Sequence, residues 1–238
     1  MEIKTEGVVL QSRDYRENDR QVVLLTPTLG KITALARGVK KAGAKLRFAV
    51  QPFCFAEYVL AEKAGRYTLI SAACHESFFA LSDPDKFYAA CAVTEIASAV
   101  SLEGAPSASF FLETVKTLLS MEEGDPAEPL VSFVLAALEE CGVPVEADGC
   151  AFCGKQIGED KLFFHFPTGS FSCPSCHKGT PVSRSTYLTI RKHEGLSFEG
   201  SFDRDTSLRT LRLLKEYFVY KTELEVKCFR EYIRQLQG

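Results

Sequence analysis

Two cysteine pairs constrain this chain more than any other feature of its sequence. Cys150-Ala-Phe-Cys153 and Cys173-Pro-Ser-Cys176 are each C-x2-C, with 19 residues between them. Each pair offers two thiolates from one tight turn, and two such turns supply the four soft ligands that Zn2+ takes in a tetrahedron. Four thiolates leave no open coordination position, so the expected ion is a single structural Zn2+ and not a catalytic one. A redox dithiol is the functional alternative, although one pair would suffice for it. Four packed thiols without a metal is the plainer alternative. His177 abuts Cys176 and is a substitute ligand for it. The stretch holding Phe163, Phe164 and Phe171 is expected to form a small hairpin that closes the site.

Such a module needs a globular host, and the hydrophobic share of 46% over 238 residues is enough for one. Met1 to Glu6 carries no apolar signal region, and no apolar run is long enough to span a bilayer. A cytoplasmic protein with no membrane partner is the expectation. In that reducing setting the remaining cysteines, Cys54, Cys74, Cys91, Cys141 and Cys228, read as buried thiols because they sit in apolar stretches.

The first 80 residues read as β structure. Ile3–Leu10, Gln21–Thr26, Lys31–Arg37, Phe53–Leu60 and Tyr67–Ala73 are short apolar or alternating runs. Thr26-Pro27-Thr28-Leu29-Gly30 is a turn between the second and third, and Glu62-Lys63-Ala64-Gly65 divides the fourth from the fifth. Five strands with an insertion between the third and fourth fit a Greek-key barrel of the oligonucleotide-binding type, with Lys45–Val50 as its short helix. An SH3-like barrel or an open sheet also accommodates five strands. At Ser82-Asp83-Pro84-Asp85 the pattern turns helical, with Ser82 as a cap. Helices are expected over Phe87–Val100, Ser109–Met121 and Pro129–Cys141, then from Ser183 to near Gly195, around Leu208–Phe218 and around Val226–Leu236. The fold class is therefore α+β: a barrel domain over 1–80, a helical domain over 81–149 and 180–238, and a zinc module over 150–179 inserted in it.

The functional signal lies in the loop from the third strand to Phe53. It holds Arg37, Lys40, Lys41, Lys45 and Arg47 with two glycines and no acid. Such a loop on a β scaffold suits a phosphate backbone, although a merely solvated loop has the same composition. Phe53, Phe55, Tyr58 and Tyr67 are aromatic residues that stack bases if exposed, and core residues if not. Net charge is +4 over residues 1–82, −11 over 83–149 and +4 over 150–238. The middle segment repels a phosphate chain and the ends do not. Two further stripes, Arg209/Arg212/Lys215 and Lys227/Arg230/Arg234, are interleaved with acids and read first as a solvated face, second as a phosphate surface or a dock for an acidic peptide. No phosphate-binding glycine loop, dinucleotide fingerprint, deaminase signature or metalloprotease spacing is present, so the chain is not expected to be an enzyme.

These stretches together resemble the bacterial RecO recombinational-repair family over essentially the whole chain. The likeness is carried by Glu6-Gly-Val-Val-Leu10, Arg13-Asp-Tyr-Arg-Glu17, Gly30-Lys31, Ala36-Arg37-Gly38, Lys45-Leu-Arg47 and Gln51-Pro52-Phe53, followed by the cysteine pairs. The resemblance implies a DNA-binding barrel, a helical domain and a zinc module. It implies binding of single- and double-stranded DNA, annealing of complementary strands, and cooperation with RecR, with single-stranded DNA-binding protein and with RecA loading. By position, Arg37, Lys40, Lys41, Lys45 and Arg47 match the family's basic loop, and Cys150, Cys153, Cys173 and Cys176 its zinc ligands. The segment Thr222–Cys228 is more acidic than the family pattern, which weighs against DNA contact there. A competing function class is a protein-interaction scaffold, distinguished by the absence of salt-dependent strand binding. A hydrolytic or deaminating enzyme is a further one, which a closed four-thiolate metal would argue against.

Overall fold

The computed structural model describes all residues except 79, 80, 82, 159, 160, 194, 196–202 and 236–238. Five strands, β1 (Glu2–Tyr15), β2 (Asp19–Thr26), β3 (Gly30–Ala36), β4 (Phe55–Lys63) and β5 (Arg66–Glu76), close into a barrel in the order β1-β2-β3-β5-β4. The alternation read in the sequence is the cause. Val22, Leu24, Ile32, Ala34, Ala36, Ala56, Tyr58 and Leu60 point inward and are buried, while their strand neighbours, apart from the buried Leu25, are more exposed. β1 is longer than its apolar run. Its first half pairs with β4 from Glu2 to Val8, its second with β2 from Val8 to Tyr15, and a bulge between Val9 and Gln11 bends it from one partner to the other. Closure between β3 and β5 rests on two parallel pairs, Ala34 with Tyr67 and Leu35 with Thr68. A single 3-10 turn, Phe48–Val50, follows the basic loop and packs Ala49 and Val50 into the barrel core. Those two residues fall within the expected Lys45–Val50 helix, at its end.

Among the described residues six helices follow: α1 (Pro84–Val100), α2 (Ala108–Glu123), α3 (Ala127–Glu140), α4 (Arg184–His193), α5 (Arg204–Thr222) and α6 (Lys227–Gln235). Asp83 caps α1 by accepting from the Asp85 amide, and Ser107 caps α2. Ser82 and Leu236 lie outside the described residues. Three short strands, β6 (Lys161–His165), β7 (Ser170–Ser172) and β8 (Thr180–Ser183), form an antiparallel sheet in the order β7-β6-β8. The β6–β7 hairpin is the one expected between the cysteine pairs, whereas β8 occupies residues read only as the approach to α4.

Contacts divide the chain into two compact units, 1–124 with 226–228, and 125–225 with 229–238. In the first unit α1 and α2 join the barrel: the Lys31 ammonium donates to the Ser98 carbonyl at 2.6 Å, and Phe55 meets Phe111 edge-on at 6.1 Å. In the second unit Phe164 lies edge-on to Phe166, Phe171 and Tyr217, and Phe171 to Tyr187, so the small sheet shares one aromatic core with α4 and α5. Gly169 makes this packing feasible. Its φ is +67°, and a Cβ there would lie 2.0 Å from the Tyr217 hydroxyl, which donates to the carbonyls of Val143 and Pro144.

Candidate functional site

The five loop cations, Arg37, Lys40, Lys41, Lys45 and Arg47, are all exposed. The loop that carries them is nonetheless ordered by its own hydrogen bonds. The Gly38 amide donates to Asp19 Oδ1 at 2.8 Å, the Lys40 amide to the Asn18 carbonyl at 3.1 Å, and the Arg47 guanidinium to the carbonyls of Lys40 and Lys41 at 3.3 and 3.1 Å. The loop is thereby stapled to the β1–β2 turn. Arg47 acts partly as a brace, with donors left for a ligand.

A larger feature was not legible in the basic loop. A groove of about 1140 Å³ opens on the barrel beside the β3–β5 closure. Arg16 reaches it from the β1–β2 turn, Arg37 from the end of β3, and Lys63 and Arg66 from the two sides of the β4–β5 turn. Tyr15 and Tyr67 line it as well, with Gln21, Thr33 and Thr68, and no acid is among the described lining residues. Tyr15 is 40% exposed, and the Arg16 guanidinium lies 5.4 Å from its ring centre. The β4–β5 turn projects because Ala64 and Gly65 both take positive φ, +52° and +74°, the conformation of a tight two-residue hairpin. Four separated cations and two rings in one acid-free groove can hold a phosphate chain and stack an unpaired base. Of the expected loop residues only Arg37 lines it. Lys41 sits beside Arg16 and Arg37 in an adjoining depression, and Lys40 and Arg47 line a smaller cleft with Arg20.

The aromatic expectations divide. Tyr58 is fully buried with its hydroxyl donating to the Ala49 carbonyl at 3.0 Å, and Phe53 is buried against Phe87. Phe55 packs between His75 and Phe111. These three are core or interface residues of the first unit; Tyr67 alone faces the groove. Cys54 is buried, but Cys74 is exposed, because β5 beyond Leu69 is largely solvent-facing. Cys91, Cys141 and Cys228 are partly buried. On the C-terminal helices, Arg230 pairs with Glu225 and Glu231, and Arg234 with Glu231, at 3.4–3.7 Å. Arg209 donates to the Thr206 hydroxyl and Arg212 is half-buried. The interleaved acids thus take up Arg230 and Arg234 of the α6 stripe, as a solvated face requires, while Lys227 is exposed.

The sulfurs of Cys150, Cys153, Cys173 and Cys176 all lie within 4.8 Å of one another. Cys153 and Cys173 are 3.7 Å apart, against about 3.8 Å for the edge of a tetrahedron with ~2.3 Å metal–sulfur bonds. Backbone donors also favour thiolate here. Burial pushes the Cys150 thiol up, but amide donors from Cys173, Phe152 and Cys153 together outweigh it and bring it to about 6. Burial and the neighbouring sulfurs push Cys176 up to about 12, the crowding that a cation would relieve. The residues therefore fit a tetrahedral thiolate metal. His177 is not in this cluster: its ring packs at a tilt of 36° against Phe163, 4.1 Å between centroids. Lys178 lies 4.5 Å over the Phe152 ring on the rim of the site.

Two family models match the chain. Residues 1–78 match the one described as Recombination protein O N terminal, and residues 81–227 the one described as Recombination protein O C terminal. The chain belongs to the recombination protein O family. The RecO relatives are consistent with this. A protein named DNA repair protein RecO from Bacillus pumilus is 32% identical over 251 residues, covering all of this chain and 96% of that protein. One of the same name from Desulfitobacterium hafniense is 32% identical over 172 residues, covering 72% of this chain and 63% of its own length. A third, from Clostridium perfringens, is 29% identical over 194 residues, covering 79% and 78%. The match thus spans less than two thirds of the Desulfitobacterium relative. The RecO N-terminal match coincides with the barrel and its groove; the C-terminal match contains all four cysteines. Among the described residues no helix is long and apolar enough to cross a membrane.

Proposed function

We propose that this RecO-family protein binds single- and double-stranded DNA through the barrel and promotes annealing of complementary strands, without covalent chemistry. The observation that carries this is the acid-free groove with Arg16, Arg37, Lys63, Arg66, Tyr15 and Tyr67. Two complementary strands repel through their phosphates. Cations that neutralise both chains lower that repulsion, and contacts confined to phosphate and to ring faces leave the pairing edges of most bases free. The loop cations Arg37, Lys40, Lys41, Lys45 and Arg47 extend the positive field beyond the groove, so one strand held in the groove attracts a second at its edge.

Cys150, Cys153, Cys173 and Cys176 would hold one Zn2+, which supplies folding energy to the second unit and no Lewis-acid step, since all four positions are thiolate. Family membership supports work alongside RecR, single-stranded DNA-binding protein and RecA, in the cytoplasm at the nucleoid.

The test is an annealing assay with zinc-loaded protein across a salt series. Binding of a single strand should weaken with salt by roughly 0.7 in logarithmic slope per phosphate contact, and annealing should fall with it. Salt-independent binding, or annealing no faster than protein-free strands, would remove the groove from the account.

A further inference from the structure

Among the cations of the groove and loop, Arg16, Arg20, Arg37, Lys40, Lys41, Lys45, Arg47, Lys63 and Arg66, just two have a carboxylate partner among the described residues. Both share the same one. Asp14 Oδ2 accepts from the Lys40 ammonium at 2.8 Å, and Asp14 Oδ1 from Arg20 Nε at 3.2 Å. Asp14 stands directly across from Arg20 in the β1–β2 register, so the backbone holds that pair together. The Lys40 amide is fixed to the β1–β2 turn as well, which brings the ammonium to the carboxylate without a long search. Arg20, Lys40 and Arg47 then line a cleft of about 280 Å³ with Gln51, and Asp14 is not part of its wall. The carboxylate is 59% exposed and held below the usual range by the Lys40 ammonium, so it stays charged at neutral pH.

We propose that Asp14 is an internal counterion that competes with DNA phosphates for Lys40 and Arg20. The inference rests on the proposed DNA-binding role and goes beyond it. A phosphate entering the cleft takes donors that Asp14 now occupies, and the displaced carboxylate, open to water, is hydrated again. An isolated anion gains little from that exchange. A contiguous chain of phosphates, already held by Arg37 and the groove, makes it at high local concentration. Asp14 therefore weakens the loop most for sparse charge, and takes a fixed share of the grip on any bound chain, the annealed product included. An annealing protein needs the second property, because a duplex held by every cation would not leave.

The experiment compares wild type with Asp14→Asn, Asp14→Glu and the Arg20→Ala/Lys40→Ala double variant with and without Asp14→Asn. A fluorescent single-stranded oligonucleotide is titrated over a salt series, and release of annealed duplex is followed by competition. Asp14→Asn should bind about two- to tenfold more tightly at low salt, the gain shrinking as salt rises, and should release duplex more slowly. Asp14→Glu should remain close to wild type. In the background lacking Arg20 and Lys40 the gain should vanish. A gain of equal size there overturns the proposal, since it would report only net charge. So does wild-type-like or weaker binding by Asp14→Asn at unchanged melting temperature. Wild-type protein that binds no strand overturns the DNA-binding reading, and this one with it.

Discussion

The barrel and the cysteine-bearing unit keep their distinguishing residues in opposite places. In the barrel the core is Val9, Val22, Leu24, Ile32, Ala34 and their neighbours, and every cation of the groove and loop lies outside it. In the second unit the cysteines run straight into the core. Phe171 on β7 touches Phe164 and Tyr187, and Cys173 follows that strand directly. The barrel can lose its candidate site and keep its fold. The second unit is expected to lose its own with its four cysteines. A sequence motif of high specificity therefore marks the part that holds structure, and scattered, unspecific cations mark the part proposed to hold DNA.

Metal removal tests that contrast with the largest effect. Chelation, or Cys150→Ser, should unfold the β6–β8 region. Structural zinc contributes roughly 10 kcal/mol or more in small modules, which is comparable to the whole stability of a domain. Protease sensitivity between residues 150 and 183 and loss of a melting transition are the readouts. Strand affinity of the barrel should change by less than about threefold. Chelation that abolishes binding while the protein stays protease-resistant would break the division. Phe164→Ala comes next. It removes a fully buried ring from the cluster with Phe171 and Tyr217, at a cost of about 3–5 kcal/mol. A thermal or denaturant melt of zinc-loaded protein checks it, and again binding should survive.

The third perturbation runs the other way. Replacing Arg16, Arg37, Lys63 and Arg66 together by Ala should leave the melt within about 1 kcal/mol of wild type, because none is in the core. Single-strand affinity at low salt should drop by about a hundredfold, and the logarithmic salt slope should flatten by roughly 2–3. Tyr15→Ala separates stacking from charge. It should cost about tenfold for a single strand, much less for duplex, and leave the slope unchanged.

The groove explains how far the sequence could be read. Its lining comes from residues 15–21, 33–37 and 61–68, three stretches that only closure of the barrel brings together. Arg37 was visible because it belongs to a dense local cluster. Lys63 stands in the turn Glu62-Lys63-Ala64-Gly65 and Arg66 in no motif of the sequence, because the positive φ of Ala64 and Gly65 that projects them is a backbone property. Tyr15 lay beyond the apolar run of β1, where the strand continues as an exposed hairpin that alternation cannot detect. Conversely, Tyr58 and Phe53 carry the right chemistry for stacking, but spacing alone could not show that Tyr58 faces inward to the Ala49 carbonyl. The cysteine cluster was legible because its C-x2-C spacing stands in the sequence itself; β8 was not, being four residues without an apolar pattern.

The smallest expected effect concerns the other basic region. Arg230 and Arg234 on α6 look in sequence like the barrel cations, and they differ in their neighbours. Glu225 and Glu231 sit within 3.4–3.7 Å of them, where the groove has no acid among its described lining residues. A phosphate approaching α6 meets carboxylates at the same distance as guanidinium groups, so attraction and repulsion nearly cancel. These pairs are exposed and add little to stability. Arg230→Ala with Arg234→Ala should therefore shift the melt by less than about 0.5 kcal/mol and leave strand affinity and salt slope unaltered. If the pair of substitutions flattened the slope by a whole phosphate contact, the contrast would have to be redrawn, with DNA contact extending to the cysteine-bearing unit.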